Sequence, residues 1–238
     1  MKTDILVFSA HPDDAELSCG GTILKHIRLG KKVVIVDLTR GELGTRGNAE
    51  LRDIEAKAAS KILGIAAREN LKLADGFFQN DPVSQLSVVT TIRKYQPEII
   101  LCNAVADRHP DHSRAAQLVS QAAFLSGLIK AETSSEGKKQ QAWKTKAVYH
   151  YIQDRYIKPD FVIDVSEFME KKMEAVKAYS SQFYNPDSKE PETAISSKEF
   201  IDFLLGRAAE FGRQINVKYA EGFTMERIQA VNSLFDLA

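Results

Sequence analysis

Two cysteines in 238 residues, Cys19 and Cys102, exclude a disulfide framework and any paired Cys-x-x-Cys zinc or redox site. A reducing compartment is the expected setting. Charge of one sign is also missing: 32 Lys and Arg balance 32 Asp and Glu, for a net charge of +0, so no global field draws the chain to nucleic acid or to an anionic membrane. No apolar run reaches the roughly eighteen residues a spanning helix needs. The N-terminus passes from Met1-Lys2-Thr3-Asp4 directly into Ile5-Leu6-Val7-Phe8, without a basic segment or cleavage site, and the chain reads as cytoplasmic. No Gly-x-Gly-x-x-Gly or P-loop follows any predicted strand, which argues against a non-catalytic nucleotide-binding module. Gly20-Gly21 lies too deep in the first predicted helix to cradle a phosphate.

What is present is an ordinary globular composition, 44% hydrophobic and 27% charged, arranged as alternating strands and helices. Ile5-Leu6-Val7-Phe8-Ser9-Ala10, Val33-Val34-Ile35-Val36 and Glu98-Ile99-Ile100-Leu101-Cys102-Asn103 read as the short runs of strands buried on both faces. Residues 15–29, 48–63, 83–95 and 113–129 carry apolar positions at helical spacing, and 70–74 reads as a weaker strand. Further strands are expected at 148–153 and 161–165, and helices at 166–182 and after Ser196-x-x-Glu199, which has the form of a capping box. This alternation predicts an α/β fold with a Rossmann-like, mostly parallel sheet and helices on both faces, as a single domain over 1–238. Residues 133–146, polar and rich in Lys, Gln and Ser, read as an exposed loop without a pattern of its own.

Three of the five histidines fall in two short acidic clusters. His11-Pro12-Asp13-Asp14 follows the first strand, and Asp107-Arg108-His109-Pro110-Asp111-His112 follows the strand ending near Asn103. In a right-handed parallel sheet both loops leave the same carboxyl edge. Imidazole nitrogen with carboxylate oxygen suits Zn²⁺, and three protein ligands leave a position for water. Either loop alone fits ordinary turn chemistry, with Asp14 or Asp111 capping a helix; two at matching junctions favour a metal site. His26, His150, Cys19, Tyr151 and Tyr184 read as packing or structural residues.

The motifs His11-Pro12-Asp13-Asp14-x-Glu16, Gly41-Glu42-Leu43-Gly44-Thr45-Arg46-Gly47, Leu51-Arg52-x-x-Glu55-Ala56 and His109-Pro110-Asp111-His112 resemble the LmbE-like (PIG-L) zinc-dependent deacetylases. Ser181-Gln182-Phe183 and Tyr219-Ala220-Glu221-Gly222-Phe223 resemble more narrowly the branch acting on N-acetylglucosaminyl-malate in bacillithiol biosynthesis, although Asn216 stands where that branch would have Gly. The resemblance implies a Zn²⁺ site, with Fe²⁺ the alternative, held by His11, Asp14 and His112. It implies Asp13 as general base. His109, three residues before His112, is placed to reach the far side of the site, where it would act as an oxyanion stabiliser or acid when protonated. Asp111 would hold the ring of His109 or His112. Arg52, Arg108 and Arg46 would bind substrate carboxylates. The expected partner is a small N-acetylated sugar, malate-linked or a chitin fragment, and the expected assembly is a homo-oligomer, up to a hexamer. Two histidines and a carboxylate also form the facial triad of Fe(II) oxygenases, but those sites favour an all-β scaffold.

Overall fold

Side-chain alternation along the first strand sorts the helices onto the two faces of one sheet. The computed structural model describes residues 1–237. Its strands and helices are β1 (Ile5–Ser9), α1 (Asp14–Arg28), β2 (Val33–Asp37), α2 (Ala49–Leu63), β3 (Ala67–Asn70), α3 (Pro82–Tyr95), β4 (Ile99–Cys102), α4 (Pro110–Ser126), β5 (Ser134–Ser135), β6 (Lys138–Lys139), β7 (Ala147–Tyr151), β8 (Phe161–Asp164), α5 (Met169–Lys177), α6 (Lys198–Gln214) and β9 (Ala220–Met225). From β1, Leu6 and Phe8 pack with Val88 and Ile92 of α3 and with Leu118 and Val119 of α4. Ile5 and Val7 point the other way, to Ala15 and Ile23 of α1 and Ala175 of α5. Each of these buried Val, Leu, Ile and Phe side chains contributes about 1.5–3 kcal/mol.

Seven strands form one sheet in the order β3-β2-β1-β4-β7-β9-β8. The pairs from β3 to β7 are parallel, and β9 runs antiparallel to both its neighbours. The chain moves outward from β1 to β2 and β3, then returns to place β4 on the other side of β1. The loops after β1 and β4 therefore diverge above adjacent strands, which opens a crevice at their carboxyl ends.

Several boundaries differ from expectation. The strand expected at 70–74 lies at β3, Ala67-Arg68-Glu69-Asn70, a charged edge strand; Leu71 and Leu73, which suggested it, pack on the core from the following loop. The helix expected from 113 begins at Pro110 and ends at Ser126. The one expected over 166–182 divides into a short 3₁₀ turn, Ser166–Phe168, and α5. Ser197, not Ser196, caps α6 by accepting from Phe200 N–H. Residues 133–146 are not patternless: they contain the β5–β6 hairpin, and Trp143 packs on the core with its Nε1 donating to Pro97 O at 2.7 Å. No helix among the described residues is long and apolar enough to cross a membrane.

Candidate active site

The loop after β1 is held rigidly before any ligand is considered. Ala10 N–H donates to Asn103 Oδ1 at 2.8 Å, which ties this loop to the end of β4. Asp14, the first residue of α1, accepts from His11 N–H at 2.9 Å and from Asn103 Nδ2 and Gln153 Nε2 at 3.0 Å each. Its Oδ1 lies 3.1 Å from His112 Nε2, and its Oδ2 lies 3.6 Å from His11 Nδ1. Asp13 occupies the N-cap position with φ 115° and ψ −28°, yet its side chain makes no capping bond. A non-glycine residue there is strained by about 1–3 kcal/mol. The strained conformer places the Asp13 carboxylate 3.1 Å from Arg52 Nη1, which also donates to Pro12 O at 2.9 Å.

The loop after β4 is built differently. His109 caps α4, its Nδ1 accepting from Asp111 N–H at 3.3 Å, so the neutral ring carries its proton on Nε2. The Nδ1 of His112 is bonded to Asp107, whose other oxygen accepts from Arg155 N–H at 2.7 Å. That bond fixes the tautomer and leaves Nε2 facing Asp14. Asp111 does not hold the ring of His109 or His112. It is fully buried behind the loop, where Oδ2 accepts from Gly76 N–H at 2.8 Å and contacts His11 Nε2 at 3.3 Å, while Oδ1 pairs with Arg114. The reason is the helix start: with His109 as cap, Asp111 already follows helical geometry and turns away from the crevice.

The structure brings the expected His11, Asp14 and His112 together, with Asp13 and His109 beside them. The ring centroids of His11 lie 4.6 Å from His109 and 5.5 Å from His112. Among the described residues, the donor atoms of His11, His109 and His112 lie within 4.8 Å of one another, and so do those of His11, Asp75 and Asp111. Asp75, which sequence reasoning missed, approaches His11 Nε2 at 3.1 Å and accepts Leu43 N–H from the glycine-rich loop.

Charge in this crevice is arranged as a cation would require. Burial disfavours charge on His11, but Asp111, Asp14 and Asp75 outweigh it and raise its pKa well above the ordinary value. At His112 burial is again outweighed, by Asp14 and Asp107, and the ring is pushed up to about 9. Burial and the neighbouring His11 and His112 charges lower His109. Burial raises Asp13 to about 7 against the opposing pull of Arg52. Imidazole nitrogen and carboxylate oxygen together form a donor set that fits Zn²⁺.

A cavity of about 370 Å³ opens over the cluster, lined by His11, Asp13, Asp14, Arg52, His109 and His112, with Arg108 on its rim. Arg108 Nε is committed to Asp154 Oδ2 at 2.7 Å. Arg46 does not line the cavity. Its guanidinium is buried against the Phe183 carbonyl and Ser188, so it pins the 183–188 segment. The Ser-Gln-Phe and Leu-Arg-x-x-Glu motifs meet here: Glu55 accepts from Ser181 N–H and Oγ at 2.7 Å each, and Gln182 Nε2 donates to Arg46 O. The Tyr-Ala-Glu-Gly-Phe motif lies on β9. Its Glu221 accepts Gly21 N–H and Thr22 N–H at the kink in α1 beside Cys19. A Cβ at Gly21 would come within 2.7 Å of Val165 Cβ, so the kink requires glycine.

The profile of the PIG-L family, described as GlcNAc-PI de-N-acetylase, matches residues 6–123, which include both acidic-histidine loops. Diacetylchitobiose deacetylase of Thermococcus kodakarensis is 31% identical over 228 residues, covering 92% of this chain and 81% of the relative. The chain belongs to the PIG-L (LmbE-like) family. A probable N-acetyl-alpha-D-glucosaminyl L-malate deacetylase of Bacillus anthracis is 27% identical over 196 residues, 75% of this chain and 81% of the relative. The crystal structure of a conserved protein from Thermus thermophilus superposes with a TM-score of 0.86 at 32% identity, covering 97% of this chain and 98% of the other. Membership of this family makes the chain a deacetylase of N-acetylated sugar conjugates.

Proposed function

We propose that this deacetylase is zinc-dependent and removes the N-acetyl group of an N-acetylglucosamine conjugate, with His11, Asp14 and His112 as metal ligands and Asp13 as general base. Fe²⁺ is the alternative ion. The observation that carries this reading is the strained Asp13. Its left-handed backbone forgoes the helix cap to present a carboxylate, raised to about 7, to the same cavity as the three histidines. A strained residue beside perturbed titratable groups in a cleft is the expected mark of chemistry.

A divalent ion held there would polarise the acetyl carbonyl and make bound water more acidic. Asp13 takes the proton of the attacking water, and its pKa near neutrality suits a base working near pH 7. Arg52 orients Asp13 through the 3.1 Å contact. His109, kept neutral with its proton on Nε2, donates a hydrogen bond to the developing oxyanion, and Asp13 passes the proton it took from the water to the departing amine. Asp107 and Asp111 act through the rings of His112 and His11 respectively. Acetate and a free amino sugar result.

The malate conjugate and the chitin disaccharide are the two substrates that the named relatives suggest. Amine release from N-acetylglucosamine, diacetylchitobiose and N-acetylglucosaminyl-malate by zinc-loaded protein tests the reading, with loss on chelation and recovery on zinc return expected. Absence of amine from all three contradicts it, and a requirement for oxygen would favour the Fe(II) oxygenase.

A further inference from the structure

Each Lys and Arg that lines the cavity among the described residues already has an oxygen partner. Arg52 is paired with Asp13. The Nζ of Lys172 lies 2.7 Å from Glu221 Oε1, and both side chains are buried. Arg108 is paired with Asp154. Arg207 donates to the carbonyls of Gln153 and Asp154 at 2.8 Å each. A substrate carboxylate at Arg52 or Lys172 would leave a buried carboxylate without its counter-charge, which directs the aglycone to the rest of the cavity.

The wall away from the histidines has the opposite character. Helix α6 lines it with Phe200, Phe203, Leu204 and Phe211, joined by Ile152 and Ile195. Phe183, Phe200 and Phe203 form a stacked row, with successive centroids 6.0 and 5.9 Å apart. Phe203 ends the row with 37% of its surface exposed, and Arg207 lies over its ring at 4.9 Å. An aryl or alkyl group could lie against the exposed part of this apolar wall, where burial of apolar area adds affinity.

We propose that the substrate carries an uncharged, apolar aglycone, aryl or alkyl, seated against α6 while its N-acetyl sugar meets the histidine cluster. This assignment of substrate class rests on the deacetylase reading of the same cavity. The test compares methyl, phenyl and octyl N-acetylglucosaminides with N-acetylglucosaminyl-malate. It uses two readouts: kcat/KM for amine release by zinc-loaded protein, and calorimetric Kd with the metal-free protein. The phenyl and octyl compounds are expected to exceed the methyl compound at least tenfold in both, and the malate conjugate to be no better than methyl. In Phe203→Ala the phenyl-to-methyl ratio of affinities should fall towards one. A malate conjugate that binds more tightly than the methyl compound, or phenyl and methyl compounds bound equally by the native protein, would overturn the proposal. If the affinity order holds while no compound yields amine, the aglycone assignment stands and the proposed hydrolysis fails.

Discussion

The loops after β1 and β4 share the letters His-Pro-Asp, yet they place those residues differently. In the first, α1 starts at the fourth residue, Asp14, so Asp13 stays outside the helix at φ 115° and faces the cavity. In the second, α4 starts at Pro110, so Asp111 is inside the helix and fully buried behind the loop. The position of the helix start decides which aspartate can meet a substrate and which can only brace a ring. A motif therefore names candidates, and backbone geometry distributes their roles.

The sharpest way to break this comparison is to remove each aspartate in turn. Asp13→Asn should lower kcat by about 10²–10⁴-fold while zinc content by elemental analysis stays near that of the native protein. Asp107→Ala removes the carboxylate that fixes the His112 tautomer, and should weaken zinc binding by about 10–100-fold in a competitive chelator titration. Asp111→Asn should cost less in turnover than Asp13→Asn, because it acts through His11; equal losses would erase the distinction between the loops.

The smallest effect concerns the strand ends beneath the second loop. Burial opposes charge on His150, but Cys102, Glu226 and the Asn103 carbonyl outweigh it and push the ring up to about 11. A folded-state pKa above the unfolded one, near 6.5, means stability that is fully present below about pH 6.5 and is lost as pH rises towards the folded value. Tm should fall by on the order of a few degrees between pH 6 and pH 10 through this group, and Glu226→Gln should flatten the slope in a calorimetric series. An unchanged slope would show that the ring is neutral throughout.

Legibility followed the length scale of each interaction. The buried strands, the α/β order and both histidine loops could be read because apolar runs and local motifs are contiguous in sequence. Asp75, Asp107 and Gln153 reach the cluster only through tertiary folding. Asp75 and Gln153 stand alone in sequence without a motif, and Asp107 lies in the second cluster but had no role until its bond to His112 was seen. Arg46 had the right charge in the right loop, but the position of Ser188 and the Phe183 carbonyl decided where its guanidinium is buried. The charged composition of β3 likewise concealed an edge strand that pairing with β2 makes plain.

Two donor sets compete for the ion: the proposed His11, Asp14 and His112, and the three clustered histidines. Zinc titration by calorimetry of His109→Ala and His112→Ala separates them most directly. His109→Ala is expected to bind one zinc at near-native affinity, and His112→Ala to lose tight binding. Loss of zinc by His109→Ala, with retention by His112→Ala, would contradict the proposed ligand set.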